Sequence, residues 1–252
     1  TDPEKLALST EKLLAGTDSK ITTVGYYCNP IQYAEHRKTL ENVICTAGKF
    51  GATHVSTFAG AWEGKPVESA YEEFGKVFRE LADLAEEKGV KLGIENCLMD
   101  GTWEHATCNI GFNPKAWEVM FEEVKNDNFG LEWEPTHQMV QLIDPVTELR
   151  KWCKKIVHIH GKDATIDWDA VRHSGISGAV PFVWHRMPGF GDTNWRDIIS
   201  ILRSNGYEDD ICIEGYHDPV YSGELEMTGQ LHALNYLKWC RGGDFTPTPW
   251  EK

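Results

Sequence analysis

The sequence contains no apolar run of membrane-spanning length and no signal-peptide pattern at its first residues. It also lacks basic excess, because 39 acidic residues stand against 25 basic ones and the formal net charge is −14. Such a charge repels nucleic acid unless a basic patch overrides it, and the densest basic stretch, Lys151 to Lys155, fits the solvated end of a helix. These absences predict a cytoplasmic protein that binds neither membranes nor nucleic acids.

The cysteines show no motif of a disulfide framework or a zinc–thiolate site. There are seven, an odd number, and no two form a CxxC pair. This scatter is typical of reduced thiols in a cytosol. They are Cys28, Cys45, Cys97, Cys108, Cys153, Cys212 and Cys240.

Short apolar segments that alternate with amphipathic ones predict one α/β domain over residues 1–252, with βαβ units and a parallel sheet. The predicted strands are Ile21–Tyr27, His54–Phe58, Val90–Asn96, Phe129–Glu134, Ile156–His160 and Ile211–Gly215. The predicted helices are Pro3–Ala15, Tyr33–Phe50, Glu68–Lys88, Pro114–Lys125, Val146–Trp152 and Trp195–Asn205. Glycine follows three of these helices, at Gly51, Gly89 and Gly206.

The segment Asp163–Asp192 has weak helix and strand signals, which is typical of a functional loop, and a short strand is predicted near Phe182–His185. With that strand the count is seven. An eight-stranded barrel would therefore need one more strand ahead of residue 1, so the chain is truncated or the barrel is incomplete. Because an open edge leaves backbone groups unpaired, we expect a preceding segment or another subunit, as in a homo-oligomer, to cover it.

Four predicted strands end in a carboxylate or an imidazole. These residues, the four-ligand set, are Glu95, Glu134, His160 and Glu214. In α/β folds the carboxyl ends of the strands meet at the working site, where three carboxylates would repel one another. A single glutamate at a strand end is more often an exposed loop residue, but four such ends in order favour a divalent metal site. Mixed oxygen and nitrogen ligands suit Mn, Co, Zn or Fe, and suit Mg less well.

Two further polar residues fall one strand layer lower, because side chains alternate along a strand. Glu132 precedes Glu134 by two residues, and His158 precedes His160 by two. We interpret His158 as a satisfied core histidine or as a residue that supports the ligands.

The ordered motifs resemble the sugar phosphate isomerase/epimerase superfamily, the xylose-isomerase-like TIM barrels that include ketose 3-epimerases and inosose dehydratases. The resemblance runs through Gly25–Pro30, Thr57–Gly60, Gly93–Asn96, Asn109–Pro114, Glu134–His137, His158–Asp163, Met187–Asp192 and Ile213–Tyr216. It implies a (β/α)8 TIM barrel that lacks its first βα unit in this chain.

The resemblance also implies that the four-ligand set binds one divalent ion, with Mn as first candidate and Co, Zn, Fe or Mg as alternatives. It assigns His137 to substrate hydroxyls. One departure is clear: the family pattern Asp-Pro-Ser-His is Glu134-Pro-Thr-His137 here. Since glutamate is one methylene longer, the second ligand can bind from a shifted position, bind through both oxygens, or fail to bind.

The implied function is isomerisation or epimerisation of a sugar or sugar derivative through a metal-stabilised enediolate, with Glu95 and Glu214 as the catalytic proton carriers. A lyase of the same superfamily, either an inosose-type dehydratase or an enzyme that cleaves oxidised glycosides, would use the same enediolate and is the alternative. Two less favoured hypotheses are a metal-binding relic without catalysis and a DNA-repair endonuclease. Further substrate-binding candidates are Trp62, His105, Lys162 and Arg186.

Overall fold

The computed structural model describes residues 2–244 and 246–248. The strands are β1 (Thr23–Gly25), β2 (His54–Thr57), β3 (Lys91–Glu95), β4 (Phe129–Trp133), β5 (Ile156–Gly161), β6 (Asp163–Ile166), β7 (Val183–Arg186) and β8 (Ile211–Ile213). The α-helices are α1 (Pro3–Leu14), α2 (Ala34–Thr46), α3 (Tyr71–Glu87), α4 (Pro114–Glu123), α5 (Pro135–Met139), α6 (Pro145–Trp152), α7 (Trp168–Ser174), α8 (Trp195–Ser204) and α9 (Glu226–Cys240). Short 3-10 helices occupy Ala47–Phe50, Val67–Ala70, Cys153–Lys155 and Gly223–Leu225.

The chain forms two compact units. The first unit runs up to His137 and includes Lys155–Ile159. The second unit contains Gln138–Lys154 and the described residues from His160 onward. That these units together form a single domain stays a prediction.

A parallel sheet forms the centre of the first unit, in the order β1-β2-β3-β4 followed by residues 156–159 of β5. The register pairs Val24 with Val55 and Ile94 with Leu131. Every residue of β2 and β4 is buried, as expected of parallel strands covered on both faces. The strand predicted over Ile21–Tyr27 is shorter in the structure, where β1 keeps only three residues.

Helix α3 supplies much of the core of the first unit. Its sequence repeats apolar residues at the helical period, and Phe74, Val77, Phe78 and Leu81 are all buried. The rings of Phe74 and Phe78 stack with centroids 4.5 Å apart, and Phe129 of β4 lies 6.0 Å from Phe78. The burial of these aromatic rings fixes the base of β4 and therefore the position of the residues that follow it.

The three predicted glycine stops have the left-handed backbone that a helix end requires, with φ of 77° at Gly51, 69° at Gly89 and 78° at Gly206. A residue with a Cβ would be strained at each position. These glycines let the chain turn from a helix into the next strand within a few residues.

In the second unit the last residues of β5 lie beside β8, and the amide of Glu214 donates to the carbonyl of Gly161 over 3.1 Å. Helix α8 packs Trp195, Ile198 and Leu202 into the core of this unit. Strand β8 is shorter than the predicted Ile211–Gly215.

The strand predicted near Phe182–His185 exists as β7, but it does not add to the parallel sheet. It pairs antiparallel with β6, with Ala164 opposite His185 and Ile166 opposite Val183. Strand β6 was not predicted, because its alternation of polar and apolar side chains extends over only four residues, Asp163–Ile166, inside a segment rich in Gly, Trp and His. Within the described residues the parallel sheet therefore has six strands, one fewer than the seven predicted.

Helix α9 was also missed. Its apolar residues do not follow one helical stripe, since Ala233 and Leu237 are buried while Met227, Leu231 and Leu234 are exposed. Without one apolar face the sequence gives no clear helical period. Among the described helices none combines the length and apolar character that crossing a bilayer requires.

Candidate metal centre

The first unit contains two members of the four-ligand set. Glu95 is the last residue of β3, and Glu134 follows the last residue of β4. Both are buried, and an oxygen of each lies within 4.8 Å of an oxygen of the other. Two unit charges at that separation repel by about 3 kcal/mol at an effective dielectric constant of about 20. This carboxylate pair therefore favours a compensating cation.

Asn96 holds the backbone of Glu134. Its Nδ2 donates to the carbonyl of Glu134 over 2.9 Å, and its Oδ1 accepts from the amide of Glu134 over 2.8 Å. Both residues are completely buried. The two hydrogen bonds join the ends of β3 and β4, so the carboxylates of Glu95 and Glu134 project from a fixed backbone.

Asn109 holds the other side of the β3 terminus. Its Nδ2 donates to the carbonyls of Glu95 and Cys97, over 2.9 and 2.8 Å. Its Oδ1 accepts from the amides of Ala59 and Gly111, over 3.0 and 2.9 Å. A buried side-chain amide with all its bonding capacity used rigidifies the segment it joins.

His137 lies in the first turn of α5, three residues after Glu134. Its Nε2 is 3.3 Å from Oε1 of Glu134, and the ring is buried. Ligand atoms of His137, Glu95 and Cys97 all lie within 4.8 Å of one another. The structure thus brings three predicted site residues of this unit together and adds Cys97, which the sequence analysis did not assign to the site.

One layer lower, Glu132 and His158 form a buried polar network, as the strand alternation predicts. The phenol of Tyr27 donates to Glu132 Oε2 over 2.8 Å, and His158 Nε2 lies 3.8 Å from Glu132 Oε1. The hydroxyl of Thr23 approaches the ring of His158 at 3.4 Å. His158 is therefore a buried histidine that pairs with Glu132.

The second unit contains the other two members of the set. Nδ1 of His160 lies 3.1 Å from Oε2 of Glu214, and Nζ of Lys162 lies 2.9 Å from Oε1 of the same carboxylate. Lys162 is almost wholly buried, although lysine rarely is unless it is paired. Glu214 is thus held between an imidazole and an ammonium group.

The substrate candidate Arg186 lies at the end of β7. Its Nε is 3.4 Å from Oδ2 of Asp218, and its guanidinium lies 5.9 Å from the ring centroid of Phe190. Burial acts to raise the pKa of Asp218, but the amides of Tyr221, Met187 and Val220 and the charge of Arg186 lower it below its ordinary value. Asp218 therefore stays ionised and fixes the backbone beside Arg186.

Asp163 anchors the loop that follows β7. Its carboxylate accepts from the amides of Ala164, Gly189 and Thr193. Burial raises the pKa of Asp163, and these hydrogen bonds offset only part of the shift. No role for Asp163 or Asp218 was predicted from the sequence, because each also binds amides that are distant in sequence: those of Gly189 and Thr193 for Asp163, and that of Met187 for Asp218.

His185 of β7 has a pKa lowered to about 4, first by burial and then by the charges of Lys162 and His217. It is therefore neutral at physiological pH.

The two remaining substrate candidates belong to the first unit. Trp62 is half-buried, whereas His105 is exposed.

A comparison with known proteins identifies the family. The description "Xylose isomerase-like TIM barrel" belongs to the family model that matches residues 4–238. An inosose dehydratase from Clostridium tetani is 26% identical over 182 residues, which is 70% of this chain. The match spans 57% of the length of that relative.

Two solved structures share the fold. The crystal structure of D-psicose 3-epimerase in the presence of D-fructose aligns with a TM-score of 0.70 at 16% identity, over 96% of this chain and 86% of that one. The structure of an IOLI protein with a bound zinc atom aligns with a TM-score of 0.65 at 20% identity, over 95% and 80%. The chain belongs to the xylose isomerase-like TIM barrel family.

Proposed function

We propose that the chain is a divalent-metal-dependent enzyme that moves a proton beside the carbonyl of a sugar or sugar derivative. The first candidate reaction is isomerisation or epimerisation. The observation that carries the proposal is the buried pair Glu95 and Glu134, whose carboxylate oxygens lie within 4.8 Å. Membership of the family and the relatives named above support it.

The donor set fits a divalent cation. Two buried carboxylates this close together are costly unless their charge is compensated, and a divalent cation would compensate both Glu95 and Glu134. His160 and Glu214, which are 3.1 Å apart, offer one more nitrogen and one more carboxylate. We propose that these four residues hold one ion, with Mn²⁺ as first candidate among the metals that accept mixed ligands. When bound, the cation supplies a Lewis acid that polarises the carbonyl and lowers the free energy of the enediolate.

The residues of the chain carry the proton. In the proposed reaction one of Glu95 and Glu214 removes the proton from the carbon beside the carbonyl, and the other returns a proton to the opposite face. Lys162 orients Glu214 through the 2.9 Å ion pair. His137, Lys162, Arg186 and Trp62 are the proposed substrate contacts.

A lyase is the second candidate, and Lys162 favours it. Expulsion of a β-hydroxyl needs a proton donor for the departing oxygen, and the buried ammonium of Lys162 beside Glu214 is such a donor. The name of the Clostridium tetani relative, inosose dehydratase, supports the same reaction class.

Deuterium incorporation separates the two candidates. The Mn²⁺-loaded protein is incubated in deuterated water with a panel of ketoses, inososes and oxidised glycosides, and the products are followed by NMR. An epimerase exchanges deuterium into a carbon beside the carbonyl without loss of hydroxyl, whereas a lyase yields an unsaturated or deoxy product. If no compound of the panel exchanges or eliminates, the proposed chemistry is wrong.

Variants test the proton carriers. We expect Glu95→Gln and Glu214→Gln each to lower turnover by about 100-fold or more, the usual contribution of a general base. Glu87→Gln, at an exposed helix end, is the matched control and should leave turnover unchanged. Parental turnover in either of the first two variants would remove that residue from the mechanism.

A further inference from the structure

We propose that a second divalent cation, of the thiophilic kind, binds in the first unit at Glu95, Cys97 and His137. One ligand atom of each residue lies within 4.8 Å of the other two, and Glu95 and His137 are buried. The inference goes beyond the function proposed above and does not depend on its reaction, although Glu95 is shared with the four-ligand set. The scatter of cysteines argued against an all-thiolate zinc site, whereas this group offers only one sulfur.

Glu95 is the last residue of β3, and Cys97 follows two residues later with a ligand atom within 4.8 Å of one of Glu95. The side chain of Asn96, between them, is used in two hydrogen bonds to the backbone of Glu134. Nδ2 of Asn109 bonds the carbonyls of both Glu95 and Cys97. One buried amide thus fixes the two residues together.

The distances suit a small tetrahedral ion. With metal–sulfur bonds of about 2.3 Å and metal–nitrogen or metal–oxygen bonds of about 2.0 Å, ligand atoms lie about 3.3–3.6 Å apart. The present spread is at most 4.8 Å, so the side chains need to close by little more than an ångström. Rotation of the cysteine and glutamate side chains about their own bonds provides a movement of that size without a backbone shift.

The donor chemistry selects the cation. One sulfur, one imidazole nitrogen and one carboxylate oxygen suit Zn²⁺ or Co²⁺, while Mg²⁺ and Ca²⁺ prefer oxygen alone. On binding, the thiol of Cys97 loses its proton to water, and sulfur, nitrogen and oxygen each donate an electron pair to the ion. A fourth position is left for water or a substrate oxygen.

Cobalt reports directly on the sulfur ligand. The full chain, freed of metal with a chelator, is titrated with Co²⁺ while the near-ultraviolet thiolate-to-cobalt charge-transfer band and the bound metal at equilibrium dialysis are measured. We expect the parent to show the band and to bind two equivalents, and Cys97→Ser to lose the band and one equivalent. Cys45→Ser, which changes an exposed thiol on α2, is the matched control and should behave as the parent. Zn²⁺ should abolish the band by displacement, and Mg²⁺ should not.

A second pair of variants keeps the two proposals distinguishable. His160→Ala removes a member of the four-ligand set only, so it should lose one equivalent and keep the band. His137→Gln should weaken the band. This variant tests the same site through a second ligand, so the proposal stays testable if Cys97→Ser does not fold. The second site would be overturned by the absence of the band in the parent, by a band that survives Cys97→Ser, or by a parent that binds only one ion, which either Cys97→Ser or His160→Ala abolishes. If His160→Ala keeps both equivalents and the band, the four-ligand set fails while the Cys97 site stands.

Discussion

Glu134 is the residue at which this chain departs from its family pattern, and its extra methylene has a measurable consequence. Its carboxylate is fully buried and lies within reach of Glu95. If Glu134 is a ligand, Glu134→Ala should weaken Mn²⁺ binding by about tenfold or more, since even the loss of an outer-shell partner costs that much. Glu134→Asp should keep part of the affinity. Isothermal titration measures both, and parental affinity in Glu134→Ala would show that Glu134 is no ligand.

His185 gives the metal-free chain a pH-dependent stability. Its folded-state pKa of about 4 lies below the ordinary value of 6.5, so the unfolded chain binds the extra proton between those values. The contribution of His185 to stability is therefore complete above about pH 6.5 and is lost as the pH falls toward 4. Between about pH 7.5 and 5 the parent should lose on the order of 2 kcal/mol more unfolding free energy than His185→Gln.

Urea denaturation at the two pH values measures this difference, with a chelator present. His173→Gln is the matched control, because His173 is exposed on α7. The control should lose stability on acidification as the parent does. Equal losses in the parent and in His185→Gln would contradict the assignment.

Among single residues, the sequence predicted those that end strands. It could not predict those whose hydrogen bonds hold the strand ends in place. Each member of the four-ligand set, Glu95, Glu134, His160 and Glu214, follows an apolar run. It can therefore be identified from its own neighbours in the sequence, given that parallel strands end at one edge. The role of Asn109 depends on a loop that returns to β3, and nothing in its neighbours encodes that return. Cys97 was likewise counted only as a scattered thiol.

Strand β4 requires a residue without a Cβ at Gly130, and this requirement can be tested. A Cβ there would overlap the carbonyl oxygen of Lys155 and lie 2.6 Å from Cγ1 of Val157. Backbone cannot move aside as a flexible side chain can, so Gly130→Ala should lower the free energy of unfolding by about 2–3 kcal/mol, the upper part of the usual overpacking range. Chemical denaturation measures the change.

The control is Gly48→Ala, within the 3-10 helix Ala47–Phe50, where a Cβ would meet no atom within 4 Å. This variant should keep or slightly raise stability, because alanine loses less backbone entropy on folding than glycine does. Equal stability of the two variants would mean that β4 and β5 can separate locally at little cost.

Elements with a strong period were predicted well, and those without one were not. Helix α3 has one buried stripe, and its predicted bounds differ from the observed ones by only a few residues. Helix α9 has apolar residues on several faces, so no stripe marks it. The β6–β7 hairpin is set by long-range pairing and by the Asp163 carboxylate, which short-range patterns do not contain.

For the molecule as a whole, the net charge of −14 favours an enzyme of small molecules over a DNA-repair endonuclease. Affinity for the DNA backbone comes mostly from basic residues that neutralise its phosphates, and the acidic excess opposes it. We expect no change in the fluorescence anisotropy of a labelled DNA duplex at about 50 mM salt. Saturable binding that weakens steeply with added salt would favour the endonuclease hypothesis instead.

Coverage of β1 by another subunit also stays a prediction, and hydrogen exchange tests it. Within the described part of the chain β1 pairs with β2 alone, whereas β3 has a neighbour on each side. If a second copy covers β1, amides of Thr23–Gly25 should exchange more slowly in concentrated than in dilute samples, while those of Leu92 and Ile94 should not change. Exchange of β1 that is independent of concentration would contradict this.

The hydrogen bonds of Asn109 have a consequence for how such a chain can diversify. Because the Asn109 side chain donates to the carbonyls of Glu95 and Cys97, it joins the two ends of the loop of residues 98–108. Each doubling of the length of a closed flexible loop costs only about 0.6 kcal/mol, so insertions there would be tolerated while the glutamate stays in place. Directed evolution that randomises and lengthens this segment should therefore alter the range of accepted ligands without disturbing the chemistry below it.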